Sequence, residues 1–162
     1  MRHAKSSHKD SGLADHDRPL ASRGRRATKA MAAYLREHRV EPALVLCSSA
    51  LRARQTLDGI SPGLAGSHEV RTESELYRAS AAGLLARLQR ISPAIGSAML
   101  IGHNPAMEQL ALDLASGGPD LAELARKYPT GALAILAFEG EWSELDADRA
   151  RLTRLVKPRD LD

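Results

Sequence analysis

Twice in this 162-residue chain a short apolar run ends in a polar cluster and gives way to a helical pattern. The first run is Ala43-Leu44-Val45-Leu46-Cys47, closed by Ser48-Ser49. The second is Ala98-Met99-Leu100-Ile101, closed by Gly102-His103-Asn104-Pro105. A strand that is apolar at every position is buried on both faces, which is the habit of parallel strands sheltered by helices. Alternation of such runs with helical segments predicts an α/β fold. The length suits one hydrophobic core, so residues 1–162 are expected to form a single domain.

The remaining pattern agrees. Residues 4–21 are rich in Ser, His, Asp, Lys and Gly and read as loop. A helix is expected over 22–38, with Ala27, Ala30, Met31, Tyr34 and Leu35 on one face. A second helix starts at Ala50 and runs to about 58, before a Gly/Pro/Ser-rich loop at 59–67. Residues 68–71 form a weak strand candidate. Ser80 is placed to cap a helix reaching 91. After the second buried strand a helix turns Met107, Leu110, Ala111 and Leu114 inward and is expected to stop at Gly117-Gly118. A short helix near 120–127 and strands at 132–138 and 151–156 complete the reading. With one Trp, one Phe and three Tyr, the core must be built from Leu, Ile, Val and Ala.

The formal net charge is +3, with the basic excess in the first quarter at residues such as Arg23, Arg25 and Arg26. A solvated basic face is the plain reading; an anionic substrate ranks second and nucleic acid third. Interleaved aromatics, zinc-finger spacings and a ribonucleoprotein-type signature are all missing, so no nucleic-acid partner is expected. Cys47, the single cysteine, has no internal disulfide partner. No stretch is long and apolar enough to span a membrane, and the polar N-terminus carries no signal-peptide pattern. A cytoplasmic protein without membrane association is therefore expected. His8, His16, His38 and His68 read as surface histidines whose spacing suggests no metal site.

Polar residues at the carboxyl end of a buried strand mark where α/β sheets bind ligands. The helix N-termini that follow suit phosphate. Arg52 and His103 sit at such places. Taken singly, each candidate has an ordinary reading: Arg52 as an exposed helix arginine, His103 as a turn or core-edge histidine, Arg2-His3 as a fraying terminus.

Taken together, the segments resemble the histidine phosphatase superfamily, also called phosphoglycerate mutase-like, and within it the SixA-type phosphohistidine phosphatases. Arg2-His3-Ala4-Lys5-Ser6 resembles the signature Arg-His-Ala-Lys-Ser. Asp17-Arg18-Pro19-Leu20 with Arg23-Gly24 resembles the approach to the first helix. Ser48-Ser49-Ala50-Leu51-Arg52-Ala53-Arg54-Gln55-Thr56 resembles Ser-x-x-x-Arg-Ala-x-Gln-Thr. Leu76-Tyr77-Arg78-Ala79, Gly102-His103-Asn104-Pro105 and Pro129-Thr130-Gly131-Ala132 resemble three further segments. The motifs run nearly end to end and in order.

The resemblance implies a three-layer α/β/α sandwich with a mostly parallel central sheet. It also implies a metal-independent phosphatase without cofactor, acting on a phosphorylated protein or a small phosphorylated substrate. His3 would be the nucleophile, forming a phosphohistidine intermediate. Arg2 and Arg52 would grip phosphoryl oxygens through planar forks, and His103 would donate to an equatorial oxygen. Lys5, Ser6 and Thr130 are secondary candidates for substrate contact. His3 must be unprotonated to attack; Arg2 and Arg52 disfavour its cation by like charge, and a backbone carbonyl on its other nitrogen would fix the tautomer.

The sequence departs from the family pattern in two places. Glu73 and Glu75 are the weak candidates for a general acid, and neither falls at the offset of the mutase-like members. A phosphoramidate loses an easily protonated ring nitrogen and depends less on such an acid, which favours a phosphohistidine substrate. Small phosphate monoesters and a non-catalytic phosphate-binding role are the alternatives. In the family an apolar strand precedes Arg-His, whereas here only Met1 does. The first strand therefore looks truncated, with ladder partners lost, the mount of His3 weakened and lower stability expected than for a chain with the strand restored.

Overall fold

Five buried positions in succession leave β1 (Leu44–Ser48) no face for solvent. The computed structural model describes residues 1–161 and places this strand inside a parallel sheet. β1 lies between β2 (Glu69–Glu73) and β3 (Ala98–Ile101) and is parallel to both. A second group contains β4 (Ala115–Gly117), β6 (Ala150–Val156) and β5 (Leu133–Phe138), in that order. Here β6 is parallel to β4 and antiparallel to β5.

Side chains alternate across a strand, so β1 serves two cores. Leu44 and Leu46 join Leu84, Leu88, Leu110 and Leu124. Val45 and Cys47 join Met31, Leu35, Leu57 and Ile60. The first core belongs to α3 (Ala81–Gln89), α4 (Ala106–Leu114) and α5 (Leu121–Arg126); the second belongs to α1 (Ser22–Glu37) and α2 (Leu51–Ile60). The expected three-layer α/β/α architecture with a mostly parallel sheet is what the chain forms. As expected, Ser80 caps α3: its hydroxyl accepts from the Gly83 N–H at 3.1 Å. Among the described residues no helix is long and apolar enough to cross a membrane.

Two boundaries differ from expectation. The helix expected to reach Gly117-Gly118 ends at Leu114, and the next three residues pair with β6 as β4. That pairing satisfies backbone groups on a strand that would otherwise lack a neighbour on that side. The loop expected at 59–67 begins later, because α2 continues to Ile60 and a 3-10 turn follows at Ser61–Gly63. Within the 4–21 loop, one 3-10 turn forms at Asp15–Asp17.

The expected loss of ladder partners around the first residues does not occur. Residues 1–3 do pair, and on both sides. The Gly102 N–H donates to Met1 O at 3.2 Å, and the His3 N–H donates to Gly102 O at 3.0 Å. On the other side the Arg2 N–H donates to Ala132 O at 3.0 Å, and the Gly131 N–H reaches the Arg2 and His3 carbonyls at 3.1 and 3.0 Å. These residues bridge β3 to the start of β5 and join the two strand groups. His3 therefore keeps a rigid mount, contrary to expectation, because three residues suffice to reach both neighbours.

The Met1 amine is buried and donates to Leu100 O at 2.7 Å. Burial lowers its pKa to about 5. A cleft of about 610 Å³ opens beside Met1, walled by Met99, Leu100, Leu133 and Ile135 and floored by Leu110 and Leu114.

Candidate active site

The carboxyl ends of β1 and β3 and the residue 1–3 bridge converge on one point. Each contributes what its last residues carry: Ser48 from β1, His103 just past β3, and Arg2 with His3 from the bridge. α2 starts three residues after β1 and brings Arg52 in on its first turn. The His3 and His103 rings lie 5.0 Å apart, tilted at 52°. His3 is 8 % exposed and Arg52 6 %, so both are held largely out of water.

The ring of His3 is fixed by Ala4 O, 2.7 Å from Nδ1. A carbonyl only accepts, so Nδ1 carries the proton and Nε2 keeps its lone pair. This is the backbone partner expected from sequence. Burial lowers the His3 pKa to about 4, with Arg52, Arg2 and Arg18 adding like-charge repulsion. The desolvation outweighs the like charge of the arginines, which is the cause expected from sequence. His103 is lowered to about 3, first by burial and then by His3 and Arg52. Its Nε2 shares a 2.7 Å hydrogen bond with the Ser48 hydroxyl.

The two arginines are aimed by loop residues. Arg2 Nη1 donates to Tyr128 O at 2.8 Å. Arg52 Nη1 donates to Asp15 O at 2.6 Å and Nη2 to Asp15 Oδ2 at 3.0 Å. Asp15 also accepts from the Tyr77 hydroxyl at 2.5 Å, and from Arg18 Nε and Nη2 at 3.0 and 2.9 Å. These hydrogen bonds, Tyr77 first, hold the Asp15 carboxyl well below the usual carboxylate range. Arg2 Nε, Arg52 Nε and His103 Nδ1 are buried without a hydrogen-bond partner among the described residues. Two neutral imidazoles between two guanidiniums form a centre that is cationic, partly dry and nucleophilic at one nitrogen. Such a centre matches a phosphoryl group.

A family model described as the histidine phosphatase superfamily (branch 1) matches residues 1–80. An uncharacterised protein of Mycobacterium tuberculosis is 37% identical over 165 residues, covering 98% of this chain and all of the relative. The chain belongs to the histidine phosphatase superfamily. A structure from Nakamurella multipartitia, assigned to the SixA phosphohistidine phosphatases, superposes with a TM-score of 0.83 at 30% identity, covering 98% of this chain and 93% of that one. The protein histidine phosphatase SixA complexed with tungstate gives 0.80 at 26% identity, covering 100% and 97%. This membership supports phosphatase activity.

Other residues singled out from sequence lie around this histidine phosphatase centre or away from it. Ser6 is buried; it accepts from Arg18 Nη1 at 2.8 Å and bridges to Leu20. Lys5 and Thr130 line a separate basic pocket next to the centre. Glu73 receives Arg87 Nε and Nη2 at 2.8 Å each, which lowers its pKa. Glu75 is exposed and pairs with Arg90 at 3.6 Å. Both are committed to arginines on the α3 side. His16, expected on the surface, is partly exposed there; it also shares a 2.9 Å hydrogen bond with the Ser49 hydroxyl and meets the Tyr77 ring edge-on. Asp15, Arg18, Tyr77 and Tyr128 were not singled out as site residues from sequence. Arg18 and Tyr77 do fall inside matching motifs, which was the signal available for them.

Proposed function

We propose that this phosphatase passes the phosphoryl group through His3 and that its substrate is a phosphohistidine carried by a protein. The observation that carries the reading is His3 itself: a buried, neutral imidazole, locked by Ala4 O and flanked by Arg2, Arg52 and His103. In the first step the Nε2 lone pair attacks phosphorus as the bond from phosphorus to the leaving nitrogen breaks. The guanidiniums of Arg2 and Arg52 balance charge on the equatorial oxygens. In the second step water attacks the phosphohistidine, releases inorganic phosphate and returns neutral His3. Four cationic or donor groups suffice for this sequence without a metal ion.

The preference for a phosphoramidate rests on the carboxylates. Asp15 reaches the centre but is held ionised by Tyr77, Arg18 and Arg52, so it has no proton to give. Glu73 is locked to Arg87. An alkoxide leaving group would need protonation, whereas an imidazole is readily protonated from solvent.

The test compares a phosphohistidine peptide with a generic aryl phosphate, using wild type and His3→Ala. Turnover of the peptide should exceed that of the ester and fall about 10³-fold or more in the variant. Turnover of the monoester alone would remove the preferred substrate, and unchanged turnover in His3→Ala would remove the mechanism.

A further inference from the structure

Beside the phosphoryl centre lies a second pocket, of about 320 Å³. Its walls carry six cations: Lys5, Arg23, Arg126, Lys127, Lys157 and Arg159. Lys157 is buried and ion-paired to Glu123, with Asp160 at 3.5 Å. Arg126 and Arg159 reach the same Glu123 at 3.8 and 3.6 Å. Lys5, Arg23 and Lys127 are exposed and make no ion pair among the described residues. Among the described residues two carboxylates, Glu123 and Asp160, thus pair with three of the six cations, leaving a positive excess in a concave site.

The pocket and the phosphoryl centre share one wall. Gly131 packs against Ala4, Ala27 and Pro158, and its N–H holds the Arg2 and His3 carbonyls. Lys5 follows His3 by two residues, at most about 7 Å of extended chain. A peptide seated with its phosphohistidine at His3 would carry residues two to four positions away into this pocket.

Resting on the phosphohistidine-protein reading, we propose that this pocket binds acidic side chains that flank the phosphohistidine in the substrate protein. Exposed charges arranged this way act on encounter and selection more than on the chemical step. The pocket therefore governs KM and its salt dependence, not kcat. Arg23 and Lys127 line the pocket from different parts of the chain, are exposed and carry no ion pair among the described residues, so reversing them tests the pocket without opening the core.

The experiment compares wild type with Arg23→Glu/Lys127→Glu and its neutral counterpart Arg23→Gln/Lys127→Gln. Substrates are two phosphohistidine peptides, one flanked by glutamates and one by glutamines. Binding of the phosphate-free glutamate peptide is followed in parallel by fluorescence anisotropy. Wild type should show a KM at least tenfold lower for the glutamate peptide, a preference erased near 1 M salt, where the Debye length is about 3 Å. The double Glu variant should lose that preference and the anisotropy signal, with the Gln variant intermediate. Equal KM for the two peptides in wild type, or equal effects of the variants on both, would overturn the proposal. So would displacement of a small bisphosphate, but not the peptide, by the same substitutions. If neither phosphohistidine peptide is turned over but the phosphate-free peptide binds through Arg23 and Lys127, the pocket stands and the substrate reading falls.

Discussion

His3 has its proton placed by Ala4 O and its charge suppressed by burial, so the neutral form that the proposed attack needs is the resting form. Its folded pKa of about 4 lies below the ordinary 6.5. The ring therefore stays neutral from pH 8 down to about 5 and protonates only as pH approaches 4. Two-dimensional NMR of the imidazoles should show His3 and His103 silent between pH 8 and 5.5; a His3 midpoint near 6.5 would contradict the burial argument. Asp15 gives a second prediction. Its carboxylate holds Arg52, the side chain proposed to bind a phosphoryl oxygen, and offsets part of its charge. Asp15→Asn keeps an acceptor but removes the charge. Inhibition by inorganic phosphate should tighten about tenfold, roughly 1.4 kcal/mol, read from Ki at constant pH. Unchanged Ki would mean that Asp15 only positions Arg52.

At the scale of elements, α1 meets the nucleophile loop through one glycine. A Cβ built at Gly24 would stand 2.2 Å from Lys5 O, a backbone atom with little room to give. Gly24→Ala should cost about 1–3 kcal/mol and lower kcat, because the displaced Lys5 backbone adjoins His3. Gly83→Ala, inside α3 with its nearest contact at 3.4 Å, should instead gain roughly 0.5–1 kcal/mol; denaturant midpoints of both variants check the pair. The elements themselves were readable in the sequence because each has its own period. Leu44 to Cys47 announce a strand buried on both faces, and Met31 and Leu35 announce the inner face of α1. The end of α4 was not readable, since pairing with β6 rather than Gly117 ends the helix. In the site, Arg2, His3, Arg52 and His103 stood out through motif residues at strand ends. Asp15 and Tyr128 did not, because they reach Arg52 and Arg2 across 37 and 126 residues of chain. A lone Asp in a polar loop carries no local sign of such a contact.

Across the whole molecule, the two strand groups are tied together by residues 1–3, with the cleft of about 610 Å³ behind them. The buried Met1 amine titrates near 5 when folded and near 8 when unfolded. The unfolded chain thus binds more protons between those values, and stability present above pH 8 is lost as pH falls toward 5. His3 and His103 extend this loss below pH 6.5, because their folded values are also lowered. The thermal midpoint should therefore fall as pH drops from 8 to 5; a midpoint unchanged over that range would contradict this. The proposed reaction depends on one covalent bond, between phosphorus and His3. Mixing the protein with a radiolabelled phosphohistidine peptide, quenching in alkali within the first turnovers and mapping the label by mass spectrometry tests for it. An acid-labile, alkali-stable phosphate on His3 that vanishes in His3→Ala is the expected result; label on another residue, or full turnover in His3→Ala, would rule the bond out.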